Sequence, residues 1–375
     1  MKQTHGFLKH AVPPACLLAL LNFAGPMMAG DLSFQPITLQ AGTPLRSVHL
    51  ADFNGDGKLD IAAVTAADSV AVMLHTAGGG YAAPAITPAG GFGSWGMAVG
   101  DFNHDGRMDV AIANNLSDSV SILLGNGDGT FRMAGSYAAG LSPTALVAAD
   151  FNHDGHPDLA VVNGASGNVT ILLGTGDGGF RPGESVFLGG SPTDVVAADF
   201  NGDGIPDLAI TNGSMFERVV VIMLGNGDGT FRLKQSVTVG SEPFSVAVGA
   251  FHPDGMADLA VANLASNDVS VLAGQGDGTF QPGATYAAGN GPAGIAVADF
   301  DGDGQLDLAI CNDVSGAVLV YLGRGDGTFK RATSFATGGY PESMAAGDLF
   351  RKGRTDIVTA GSTGIVVLRN TTGAR

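Results

Sequence analysis

A nine-residue segment of the form Asp-Phe-Asn-Gly-Asp-Gly-x-x-Asp returns along the whole chain, beginning at Asp52, Asp101, Asp150, Asp199, Ala250, Asp299 and Asp348. The intervals are 49, 49, 49, 51, 49 and 49 residues. Self-similarity at a fixed period of this size confines a chain to arrays of one small unit, because a single unit cannot bury its apolar surface without a neighbour. Seven units fill the stretch from Ser33 to Arg375, which leaves no room for a second domain.

Each unit holds four short strand-like segments. Between Pro143 and Gly190 these are Ala145 to Ala149, the run Leu159 to Val162 after the acidic loop, Val169 to Leu173, and a stretch opening at Phe180 beyond a Gly-Asp-Gly turn. Runs such as Val195-Val196-Ala197-Ala198 lack apolar and polar alternation, as expected of strands covered on both faces. A four-stranded antiparallel sheet repeated at this period predicts an all-β, seven-bladed β-propeller. A solenoid would need polar capping repeats, and neither end has one. The last unit has room for only two strands after its acidic loop, Asp356 to Ala360 and Ile365 to Leu368. The segment Ser33 to Ala41 resembles a fourth strand, so the N-terminal strand is expected to complete the final blade.

Glycine, at 59 residues, supplies the turns this plan requires, and 45% hydrophobic residues supply the core. Eighteen basic against 35 acidic residues give a net charge of −17, which opposes nucleic acid and anionic lipid as partners. Residues 1–29 read as a secretory signal: Lys2 and Lys9, an apolar run from Ala15 to Ala24, then small residues up to Ala29. That run is short and flanked by Pro13, Pro14 and Pro26, and no later stretch reaches twenty apolar residues, so no transmembrane segment is expected. The reading implies a secreted, periplasmic or cell-surface protein. Cys16 would leave with the signal, and Cys311, in an apolar run, reads as a core residue. Disulfides therefore cannot brace the fold.

The acidic loops carry the chemistry. Oxygen-bearing side chains stand at positions one, three, five and nine in Asp52, Asn54, Asp56 and Asp60; in Asp101, Asn103, Asp105 and Asp109; in Asp150, Asn152, Asp154 and Asp158; in Asp199, Asn201, Asp203 and Asp207; and in Asp299, Asp301, Asp303 and Asp307. Position seven, occupied by Lys58, Arg107, His156, Ile205 and Gln305, offers a backbone carbonyl. An all-oxygen cage of this size selects Ca²⁺, at about five sites, over the more strongly hydrated Mg²⁺ or a thiolate-seeking ion. An EF-hand is excluded because position twelve is apolar each time, as in Ala63, Ile112, Val161, Ile210 and Ile310. In the fifth loop Ala250 and His252 replace two ligands, so weak or no binding is expected. In the seventh, Lys352 replaces the central aspartate and is expected to stand in for the ion between Asp348 and Asp356.

The loop, followed by Leu-Ala-Val or a variant and by Leu-Gly-Asn-Gly-Asp-Gly-Thr-Phe downstream, resembles the FG-GAP or VCBS repeat over essentially the whole chain beyond the leader. That family includes the seven-bladed heads of integrin alpha subunits. The resemblance implies that the acidic loop joins the first two strands of each blade and binds calcium.

The other recurring features read as structural. Gly-Asp-Gly turns around Asp128, Asp177, Asp228, Asp277 and Asp326 are expected to be hairpins with positive φ. Phe131, Phe180, Phe231, Phe280 and Phe329 should pack between blades, and Asn114, Asn163, Asn212, Asn263 and Asn312 should form turns. Acidic loops and Gly-Asp-Gly turns share one face of the disc, which leaves irregular segments on the other: Phe92 and Trp95 in blade two, Met215 and Phe216 in the insertion of blade four, and Tyr340. Exposed aromatics on loops suit ligand contact. No nucleophile, base and orienter stand in a distinctive setting, so a non-enzymatic module is expected. It would be a monomer acting in adhesion, protein interaction or scaffolding, with a protein or glycan ligand on this second face. A lectin-like propeller is the runner-up, and a polysaccharide-active enzyme the more distant alternative.

Overall fold

The protein is described by a computed structural model covering residues 32–41, 44–213 and 218–373. The proposed signal, Cys16, Met215 and Phe216 lie outside these residues. Among the described residues there are no helices, and so none long and apolar enough to cross a membrane. The strands form seven four-stranded antiparallel sheets. Six are built from consecutive strands. The seventh joins the last three strands to the first, Phe34–Leu39, which runs antiparallel to Gly364–Asn370 over the register Phe34↔Asn370 to Leu39↔Ile365. The expected closure is present.

The second strand of every blade is buried along its length, as in Asp158–Asn163, because sheets press on both of its faces. Each apolar cluster accordingly draws on two consecutive blades, such as Val120, Ile122 and Leu124 of blade two with Leu146, Leu159 and Leu172 of blade three. Fourth strands such as Phe131–Ala138 are exposed or half-buried beyond a buried first residue and form the rim. First strands touch their counterparts all the way round, including blade seven against blade one, and surround the axis. Cys311 is fully buried and its thiol is pushed up to about 12 by burial, which rules it out as a nucleophile.

The expected interblade aromatics form one repeated contact. The position-two residue of an acidic loop meets the next blade's fourth-strand phenylalanine edge to face: Phe53 with Phe131, Phe102 with Phe180, Phe151 with Phe231, Phe200 with Phe280 and Phe251 with Phe329, at centroid distances of 5.3–5.8 Å. Phe300 of blade six finds Phe34 of the closing strand at 6.2 Å. Such pairs each contribute about 0.5–1.5 kcal/mol beyond area burial.

Candidate functional site

All seven acidic loops join the first and second strands of their blades. Position six adopts positive φ in every loop, from +65° at Gly353 to +86° at Gly304, which glycine allows without strain. This fold turns amides inward. In blade one Asp52 Oδ2 accepts the Gly57 amide at 2.7 Å, Asn54 Oδ1 accepts that of Asp56, and Asp56 Oδ1 accepts that of Lys58. The same set recurs in blades two, three, four and six. The side chains at positions one, three and five are thereby oriented before any ion arrives.

Position nine does something its place in the motif did not reveal. Asp158 is fully buried; its Oδ2 accepts the Phe151 amide at 2.9 Å, and its Oδ1 accepts the Gly174 amide at the end of the third strand at 2.7 Å. Asp60, Asp109, Asp207, Asp258, Asp307 and Asp356 make the same two bonds. The strut persists in blades five and seven, where the rest of the cage is degraded. Its signal in the sequence was the persistence of that one aspartate through all seven repeats.

The all-oxygen donor set fits a calcium ion, and blade six is the most collected case: Asp299, Asp301 and Asp307 each offer an oxygen within 4.8 Å of the others. In blade one the Lys58 ammonium sits 3.0 Å from Asp56 Oδ2 and draws that carboxyl below its usual range. Blade five keeps no cage: His252 Nδ1 lies 2.9 Å from Asp258 Oδ2, filling the place of an ion. Blade seven departs from expectation. The Lys352 side chain is exposed and forms no ion pair among the described residues. Only its backbone amide reaches Asp348, at 2.9 Å, so Lys352 does not stand in for an ion; the side chain that reaches its loop's position-nine carboxylate is His252 of blade five.

With no divalent ion bound, burial outweighs the two amide bonds at position nine. It pushes Asp109, Asp207 and Asp356 up to about 6, and Asp158 and Asp307 up to about 7, from an ordinary 3.8. A pKa raised on folding means that the folded chain takes up protons. Its stabilising contribution is complete below about pH 4 and disappears as pH rises through 6 and 7. Ion-stripped protein should therefore melt higher at pH 5 than at pH 8. A calorimetric midpoint that falls between pH 8 and pH 5 would show these carboxyls to be ionised throughout.

The other face has a second arrangement. The second residue of each first strand sits at a break in register, where a bulge re-aims the side chain; in blades seven, one and two these residues are Glu342, Arg46 and Trp95. Arg46 donates from Nη1 to Glu342 Oε2 at 2.8 Å, and its guanidinium lies 4.6 Å over the Trp95 ring. Trp95 belongs to a strand rather than a loop, as its sequence position had suggested, yet it is 37% exposed. Phe92, 70% exposed, and Tyr340, 59% exposed, lie in loops of the same face, as expected. Arg46 and Glu342 were missed because their repeat-equivalence to Trp95 appears only when the units are aligned by their first strands. The recurring asparagines, expected in turns, lie instead at the ends of the second strands: Asn114 is fully buried, accepting from Ser94 Oγ and donating to Ser121 Oγ.

Six matches to the model of the FG-GAP-like repeat, spanning residues 52–112, 101–161, 150–210, 199–261, 251–310 and 299–359, run through this succession of loops. The chain belongs to the FG-GAP-like repeat family. No curated protein matches it in sequence. Among solved structures, this FG-GAP-like propeller is similar to the BBS1N chain crystallised in complex with ARL6DN, at a TM-score of 0.64 and 11% identity over 91% of this chain and 97% of that one. It is also similar to an Agrocybe aegerita lectin that recognises non-reducing terminal N-acetylglucosamine, with TM-score 0.55, 20% identity, and 86% and 87% covered. A protein of unknown function from Desulfotomaculum acetoxidans gives TM-score 0.57 and 14% identity over 80% and 96%. At these identities the likeness is one of fold.

Proposed function

We propose that this propeller is an exported, calcium-stabilised binding module, not an enzyme, and that a protein partner docks on the face opposite the acidic loops. One observation carries the docking face. Of the eleven large apolar side chains exposed among the described residues, six, Phe92, Trp95, Leu116, Leu141, Val314 and Tyr340, fall on that face; Ile86, Met133, Phe187 and Leu233 lie on the outer fourth strands, and the acidic-loop face holds Met256. Aromatic side chains and an arginine, here Trp95 with Arg46 stacked on it, are the anchors enriched in protein interfaces. Asp52 to Asp60 and the equivalent residues of blades two, three, four and six would hold the ions, whose charge offsets the clustered carboxylates. Export rests on the basic and apolar leader in residues 1–29. Recovery of the protein in the cytoplasm with Met1 still attached would overturn it.

A printed array of proteins and glycans, probed with the calcium-loaded propeller, tests the docking face. Trp95→Ala and Phe92→Ser should each weaken the protein signals at least tenfold while the melting temperature stays within about 2 °C, as expected for exposed hot-spot residues. Signals that survive both substitutions would place the interface elsewhere. Signals confined to glycans would replace the protein reading with the lectin-like one.

A further inference from the structure

Blades two and three meet at a pair of histidines whose side chains none of these roles uses. His104, at position four of its loop, brings Nε2 to 2.8 Å from Nδ1 of His156, at position seven of the next loop, with ring centroids 5.0 Å apart. Both side chains are on the acidic-loop face, where the surrounding charge favours cations.

The pair is held from both sides. The His156 ring lies over the glycine-rich turn of its own blade, where a Cβ at Gly176 would come within 2.5 Å of Cε1. His104 sits at φ +57°, a left-handed conformation that is strained for a residue with a side chain. Blades one, four and six place Gly55, Gly202 and Gly302 there instead. His153 adopts the same backbone in blade three, at φ +56°, but the next blade presents Ile205 at position seven, with both side chains beside Gly227. The left-handed histidine therefore recurs, whereas the pairing occurs at one junction.

Two imidazole nitrogens 2.8 Å apart match adjacent donors on one ion: metal–nitrogen bonds of about 2.0–2.1 Å meeting near a right angle leave about 2.9 Å between the nitrogens. We propose that His104 and His156 form a two-histidine chelate for a divalent transition ion, Cu²⁺, Ni²⁺ or Zn²⁺, separate from the all-oxygen loops. Imidazole prefers these ions, and Cu²⁺ should bind tightest. Without the ion one ring donates to the other. To coordinate, the donating ring has to carry its hydrogen on its outer nitrogen and both rings have to tilt until their lone pairs converge on the ion; no proton is lost from a neutral pair. Asp177, in the turn beneath His156, is within reach as a further donor or through water. Its Oδ1 is taken by the Thr175 hydroxyl and the Gly179 amide, while Oδ2 makes no hydrogen bond among the described residues. Those two bonds hold its carboxyl below the usual range.

The test is titration of tag-free, calcium-loaded protein with CuCl₂, NiCl₂ and ZnCl₂ by calorimetry, with electron paramagnetic resonance on the copper sample. One transition-ion site per chain is expected, with nitrogen hyperfine structure and Cu²⁺ binding tightest. H104G removes a ligand and relieves the backbone, and H156Q installs the residue that blade six carries at that position; each should weaken the site at least tenfold and leave the fold intact. H153G should leave it unchanged. A site that persists in the H104G/H156Q double variant, or displacement of the ion by millimolar calcium, would overturn the assignment. So would a wild-type titration with no site tighter than that of the double variant.

Discussion

Stripping calcium from the purified propeller should lower its melting temperature by on the order of 10–20 °C. An ion present at about 100 times its dissociation constant stabilises the native state by about 2.7 kcal/mol per site, and the weaker binding usual in extracellular modules reduces this to roughly 1.5–2. Five such loops amount to about 8–10 kcal/mol. With roughly 2.1 cal/mol/K of unfolding entropy per residue, a domain of about 340 residues loses one degree for each ~0.7 kcal/mol. The cost is global because the loops hold the blades to one another. The amide of Phe151 is bound by Asp158, its carbonyl accepts the Gly229 amide of the next blade at 3.1 Å, and its ring meets Phe231. The same carbonyl bond runs from Phe102, Phe200 and Phe251 to Gly178, Gly278 and Gly327. A loop that loses its ion therefore loosens an interblade contact as well as its own turn. The D301N/D303N double substitution, which disables one cage, should lower the midpoint by about a fifth of the chelation effect. Equal midpoints in calcium and in chelator would remove calcium from the account of stability, and full replacement by magnesium would remove the selectivity argued from ligand count.

How much of this was legible depended on whether a feature repeats. The 49-residue period, the four strands per blade, the packing of Phe131 and its equivalents between blades and the closure by Phe34–Leu39 follow from residues recurring in register, because a ring gives every copy the same neighbours. What could not be read comes from contacts between unlike positions of adjacent blades. Arg46 over Trp95 and His104 against His156 each join different positions of different repeats, so no single unit contains the signal. Lys352 was misplaced for a related reason. Substitution for a carboxylate suggested an internal cation, but the amides of Lys352 and Gly353 already satisfy Asp348, and the long side chain gains more from solvation outside. His252, short and rigid, stays where its ring can reach Asp258.

Deleting residues 33–40 should abolish the single cooperative melt, or lower its midpoint by at least about 10 °C and make the protein self-associate. The segment supplies the six-residue pairing of Phe34–Leu39 with Gly364–Asn370 and the bond from the Thr371 amide to the Ser33 carbonyl at 2.8 Å. Phe34 also packs edge to face on Phe335 at 4.9 Å, while Ile37 and Leu39 lean on the cluster shared by blades seven and one. Three half-buried apolar side chains contribute roughly 3–6 kcal/mol at the usual value per unit area, a large part of the 5–15 kcal/mol that holds a typical domain together. The loss is also topological. Without its fourth strand, blade seven presents the unpaired edge of Gly364–Asn370, a template for another chain, and the covalent link that closes the ring from blade seven to blade one is gone. A peptide of residues 33–41 added in trans should restore the cooperative transition and the monomer. A truncated protein that melts as sharply as the intact one, within about 2 °C of its midpoint, would show that the seven blades hold together through their packed faces alone.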